Sequence, residues 1–108
     1  MILTIWRHGQ AEAGRNDRLR KLTVTGLDEI GIGSRRFHAA CEARNIPHPH
    51  IILHSPLVRT AQTAEIIAAA YTNSSVTAVD ALQPDSNAAA VDAAVSEHTE
   101  SDHSIRCN

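Results

Sequence analysis

Residues 50–71 read HIILHSPLVRTAQTAEIIAAAY. The first five, His50 to His54, enclose a continuous apolar run of the length of a strand buried on both faces. Ser55-Pro56 then reads as a helix start, with serine as the cap and proline where its missing N–H is harmless. Leu57, Ala61, Ala64, Ile67 and Tyr71 follow at helical spacing and give an inward stripe. A buried strand running straight into an amphipathic helix is the unit of an α/β fold.

The same unit lies upstream. Residues 1–6, MILTIW, form a short apolar strand that breaks at Arg7-His8-Gly9. Gln10 to Leu22 is polar and reads as an irregular segment. Thr25 is the expected cap of a first helix, with Leu27, Ile30, Ser34, Phe37 and Cys41 on its buried face and Asn45 and Pro47 ending it. Downstream, Thr72 to Ser75 turn the chain, Val76 to Val79 make a third strand, and Asn87 to Val95 an alanine-rich helix. Alternation of this kind predicts a parallel sheet with right-handed crossovers and helices on its faces. The expected fold is three-layer α/β/α. Residues 1–95 are its domain, and residues 96–108, SEHTESDHSIRCN, are a loosely held polar tail.

Composition narrows the function. The chain has 108 residues, enough for one domain. Its net charge of −2 argues against a nucleic-acid footprint built on bulk positive charge. Trp6, Phe37 and Tyr71 are its only aromatic residues, and their spacing suits a core rather than a stacking platform. Cys41 and Cys107 have no metal or redox spacing, which favours a reducing, cytoplasmic setting. No apolar run reaches membrane-spanning length, and no signal peptide is expected.

In open α/β sheets ligands bind beyond the carboxyl ends of the strands. Two such ends carry unusual residues here. Arg7 and Arg59 supply planar, permanently charged forks suited to phosphate oxygens. Gly9 allows close approach of a ligand to the backbone. Ser55 and the helix behind it add N–H donors at a positive dipole end. His8 between them is a candidate nucleophile, since a neutral imidazole can attack phosphorus. Together they read as a phosphoryl-transfer site.

Three segments carry a family resemblance: IWRHGQAE at 5–12, RKLTVTGLDE at 20–29 and ILHSPLVRTAQTAEII at 52–67, with a weaker match in VDALQPD at 79–85. In order and spacing they resemble the histidine phosphatase superfamily, most closely its small SixA-type phosphohistidine phosphatases. The resemblance implies a phosphoglycerate mutase-like fold and no metal or organic cofactor. It implies that His8 is phosphorylated during turnover, that Arg7 and Arg59 belong to the phosphate pocket, and that Arg20 is a phosphate or substrate contact. Thr23 and Gly26 match positions around the first helix start, and Ser55 orients the second motif. Expected partners are a phosphorylated protein, such as a histidine phosphotransfer domain, or a small phosphomonoester, with neither nucleic acid nor membrane.

The departures from the family are equally specific. The family has a second histidine after a further apolar strand, and no such strand is expected in this chain. His98 and His103 lie in the right part of the sequence to replace it, with exposed tail histidines as the other reading. Asp85, with Asp80 behind it, is the nearest candidate acid; a turn or cap residue is the alternative. The functional alternative is a shortened, weakly active or inactive relative that binds phosphate or a phosphoprotein. Without a further strand beside it, the first strand has an open apolar edge, which predicts a homodimer. His48, His50 and His54 lie close enough in sequence to suggest a metal site, but surface histidines are the default and no metal is expected. Arg15, Arg18, Arg35 and Arg36 can form a basic rim that steers an anionic partner.

Overall fold

A computed structural model describes residues 2–83, 86–97 and 103–107. Four strands, β1 (Ile2–Trp6), β2 (Ile51–His54), β3 (Ser75–Ala78) and β4 (His103–Cys107), form one sheet in the order β1-β4-β2-β3. All three pairings are parallel. Three α-helices, α1 (Val24–Ala43), α2 (Val58–Ala68) and α3 (Ala88–Ser96), connect them.

The pleat assigns the two faces. Ile52 and Ile105 are register partners, completely buried, and pack with Ile30, Ala64 and Ile67 from α1 and α2. Leu53 points the other way and packs with Val91 and Val95 of α3 and with Val79 and Leu82. Each fully buried Ile or Leu contributes roughly 1.5–3 kcal/mol, so β2 and β4 hold the two helical layers together.

This corrects the reading of residues 96–108. His103–Cys107 is not a loose tail but an inner strand of the sheet, between β1 and β2. Its polar residues are accommodated individually. His103 is wholly buried; its Nδ1–H donates to the Pro47 carbonyl at 2.7 Å, and Nε2 accepts from Thr4 Oγ1 at 2.8 Å. Burial of a polar side chain is tolerated when its hydrogen bonds are satisfied. The same bonds correct His103 as a replacement for the family's second histidine. They fix it at the start of β4, about 13 Å of strand away from the end where ligands bind. His98 lies outside the described residues. β4 is also the further strand expected to be missing beside β1, so the edge on that side of β1 is paired rather than open. The other side has no strand neighbour among the described residues, and Leu3 and Ile5 are exposed.

Smaller differences have local causes. The α1 cap is Thr23, two residues earlier than expected: its Oγ1 accepts from the Gly26 N–H at 3.0 Å. Asn45 takes a positive φ of 54° and closes the helix, with Ile46 N bonding to Cys41 O and Asn45 N to Glu42 O. That pair of bonds is a Schellman cap, and asparagine tolerates the left-handed conformation it needs. α2 begins at Val58 rather than at Pro56, because the Ser55 hydroxyl meets Thr60 Oγ1 at 2.7 Å instead of capping the helix.

The segment read as irregular is tied down along its length. Glu12 N bonds to Lys21 O, Thr23 N to Gln10 O, and Leu22 N to the Gln62 side chain on α2. A 3-10 turn at Asp17–Leu19 forms its tip. Its base is closely packed: a Cβ added at Gly26 would lie 2.2 Å from the Gln10 carbonyl oxygen, and one at Gly9 2.7 Å from the Gly26 carbonyl oxygen. Alanine at position 26 gains up to about 1 kcal/mol in helix propensity. The clash outweighs it, so Gly26→Ala is expected to destabilise by about 1–3 kcal/mol. Urea unfolding should show a lowered midpoint at unchanged slope; an unchanged midpoint would contradict the packing.

Candidate active site

The carboxyl ends of β1, β2 and β4 open onto one cavity of about 330 Å³. Arg7, His8, Ser55, Leu57, Arg59 and Arg106 line it, and Leu82, Gln83, Ser86 and Val91 wall it from the α3 side. Arg7 and His8 arrive directly from β1. Ser55 and Leu57 lie on the bend after β2, and Arg59 stands in the first turn of α2. Two segments 50 residues apart thus meet because their strands belong to one parallel sheet.

The His8 ring is fixed in one tautomer. Its Nδ1 lies 2.7 Å from the Gly9 carbonyl oxygen, which can only accept, so Nδ1 carries the proton. The lone pair is therefore on Nε2. There it accepts a 3.3 Å hydrogen bond from Arg59 Nε–H. Arg59 is only 6% exposed. A second arm of its guanidinium donates to the Asp17 backbone oxygen at 2.8 Å, and a third pairs with Asp17 Oδ2 at 3.2 Å. Asp17 is exposed, yet its carboxyl sits below the usual aspartate range, because Arg59 and then Arg20 hydrogen-bond its ionised form. The loop tip thus aims Arg59 across the cavity at the histidine.

The N-terminus of α2 adds to the positive end. Leu57 occupies the cap position and makes no side-chain cap. Among the described residues no side chain caps the first-turn amides, and helix starts of this kind favour an anion through their N–H groups and dipole. Ser55, 1% exposed, holds the bend through Thr60, whose hydroxyl also donates to the Ser55 and Leu57 carbonyls at 2.9 Å.

Not every expected residue reaches the cavity. Arg20 does not line it: its guanidinium donates to Glu12 O at 2.6 Å and to Asp17 Oδ1 at 3.0 Å. Gly9 supplies the acceptor for His8 and packs against Gly26 rather than forming the wall. Asp80 is an exposed residue of a 3-10 turn, and Asp85 lies outside the described residues.

Sequence reasoning missed Asp17 and Arg106. Asp17 is 42 residues from Arg59, and nothing in a polar loop marks which carboxylate will meet it. Arg106 faces the α3 side of β4, in register with Leu53 and Ile5. Recognising HSIRC as a strand was the signal that would have found it. Cys107, beside it, is fully buried on the opposite face, and burial pushes its thiol up to about 12. It stays a thiol at neutral pH and has no nucleophilic role there.

Arg7, His8, Arg59 and Arg106 thus form a cationic cavity with a lone-pair-bearing histidine at the carboxyl ends of a parallel sheet. The family profile of the histidine phosphatase superfamily, branch 1, matches residues 3–84, and the chain belongs to this superfamily. No curated protein matches the sequence. Among solved structures, the protein histidine phosphatase SixA in complex with tungstate superposes with a TM-score of 0.81 at 24% identity, covering 100% of this chain and 69% of that one. The SixA protein of Agrobacterium tumefaciens gives 0.78 at 21%, covering 98% and 66%. A phosphoglycerate mutase from Plasmodium falciparum gives 0.65 at 16%, covering 97% and 58%. The fold is thus the one shared by SixA and phosphoglycerate mutase, and the chain spans roughly two-thirds or less of these neighbours. Among the described residues, no helix is long and apolar enough to cross a membrane.

Proposed function

We propose that the chain is a SixA-like phosphohistidine phosphatase that works through a covalent phosphohistidine on His8. One observation carries this reading: His8 presents its Nε2 lone pair to a cationic cavity while Gly9 O holds the proton on Nδ1. In the first step Nε2 forms a bond to phosphorus as the bond to the leaving nitrogen breaks. The leaving imidazole keeps that electron pair and takes up a proton, with Asp85 the proposed donor. Water then bonds to phosphorus, the His8 N–P bond breaks, and phosphate leaves with His8 neutral again. Arg7 and Arg59 hold the phosphoryl oxygens in both steps, where charge on them must be balanced without solvent. Arg20 acts at one remove, by bonding the aspartate that positions Arg59.

The proposed substrate is a phosphorylated protein, such as a histidine phosphotransfer domain, with a small phosphomonoester as the competing class. A cytoplasmic setting suits Cys41 and Cys107, both free and buried. Hydrolysis of a phosphohistidine protein, inhibited by tungstate, is the expected result with this chain. Tight phosphate binding without turnover would replace this reading with that of a phosphate- or phosphoprotein-binding relative.

Self-association belongs to the proposal for the 108-residue chain on its own. The exposed Leu3 and Ile5 on β1, at an edge without a neighbouring strand among the described residues, support pairing of two copies. Sedimentation at rising concentration should show a dimer; a monomer throughout would contradict it.

A further inference from the structure

A second cluster of chemically competent side chains lies at the other end of the sheet. His38 and Glu42 stand one turn apart near the end of α1, and His48 comes from the segment leading into β2. One ligand atom from each of the three lies within 4.8 Å of the others. His48 Nε2 hydrogen-bonds Glu42 Oε1, and His38 Nε2 lies 3.9 Å from the same oxygen. Tyr71, from the turn between α2 and β3, closes the group. Its ring is 5.2 Å from that of His38 and 5.4 Å from that of His48.

Two atoms in this group are buried without a hydrogen-bond partner among the described residues: Tyr71 Oη and His38 Nδ1. Tyr71 is only 3% exposed, and its hydroxyl lies within electrostatic reach of Glu42. Leaving a buried hydroxyl unpaired costs about 1–3 kcal/mol, and native structures reserve such groups for a water, an ion or a function. A cavity of about 300 Å³, lined by His48, His50 and Tyr71, borders the group.

We propose that His38, Glu42 and His48 form a site for a divalent transition-metal ion of the zinc class, with Tyr71 hydrogen-bonding a metal-bound water. Two imidazoles and one carboxylate, with a solvent molecule in the fourth position, are a zinc-type donor set. Neutral His48 moves its proton to Nδ1 and offers the Nε2 lone pair, and Glu42 stops accepting from it and ligates instead. The histidines close together in sequence are a different set: His54 is buried and bonds the Ser55 carbonyl through Nδ1, and His50 lines the same cavity as His48 without joining the three. Because the ligands come from α1 and from the α1–β2 connection, an ion there ties the helix end to the start of the sheet. It lies at the opposite ends of the strands from His8 and does not depend on the phosphatase reading.

Titration of the full chain with cobalt(II) tests this, because a four- or five-coordinate ion gives visible absorption bands that the hexaaqua ion lacks. One equivalent should bind, be displaced by zinc(II), and raise the unfolding temperature. His48→Ala and Glu42→Gln, both at exposed positions, should fold normally. Each should weaken binding by about 100-fold or more, beyond the 10–100-fold lost with an outer-shell partner. His50→Ala should retain the bands. Absence of the bands in the parent chain would overturn the site, as would bands that survive both His48→Ala and Glu42→Gln, or that vanish with His50→Ala.

Discussion

Replacing His8 with alanine is expected to lower turnover by on the order of 10⁴–10⁶-fold, the loss seen when a nucleophile acting within a catalytic unit is removed. The size follows from the proposed role. In that mechanism His8 makes and breaks the covalent bond, and among the described residues no other imidazole lines the cavity. His54, at the end of β2, donates Nδ1–H to Ser55 O and is itself buried on the α1–α2 side. The variant should keep the fold, because the His8 side chain is bonded to a backbone oxygen and to Arg59 rather than packed in either apolar cluster. Steady-state hydrolysis beside a thermal unfolding curve separates the two effects. Near-normal turnover by a folded His8→Ala chain would remove His8 from the mechanism.

Arg59 carries the second large effect. Arg59→Ala should reduce kcat/KM by about 10²–10³-fold, the loss expected for a donor to a developing oxyanion. Arg59→Lys should restore only part of it, because an ammonium lacks the planar fork that reaches His8 and Asp17 together. Asp17 supports the arginine only while ionised. Its carboxyl is held below the usual value, so its contribution is fully present above about pH 3.9 and is lost as pH falls through the lowered value. Asp17→Asn should therefore be less stable than the parent at neutral pH, and the two should converge in strong acid. Urea unfolding across that range checks the sign; a difference that grows on acidification would contradict it.

The sequence made most of this arrangement legible, for physical reasons that also mark where it failed. Apolar runs of strand length followed by helical spacing located β1, β2, β3 and the three helices; of these strands β2 is covered on both faces, whereas β1 leaves Leu3 and Ile5 exposed. Abrupt changes from apolar to cationic residues located Arg7, His8 and Arg59, because parallel strands deliver their following loops to one side of the sheet. β4 escaped because its pattern is polar. His103 is buried only by virtue of Thr4 and Pro47, Ser104 is buried beside it, and Arg106 faces the cavity. No window of five residues reveals partners about 50 and 100 positions away. The same distance in sequence hid the Asp17–Arg59 pair, while Arg20, assigned to the phosphate by the family resemblance, has a guanidinium that serves Asp17.

The central claim, a phosphoryl group carried on His8 Nε2, is tested most directly by trapping it. The chain is mixed with a labelled phosphodonor, quenched, and mapped by mass spectrometry of its peptides. The account predicts one acid-labile, alkali-stable phosphoryl group on the peptide containing His8, absent from His8→Ala. A label that persists in His8→Ala, or hydrolysis by the parent chain with no label at His8 at any time after mixing, would contradict it.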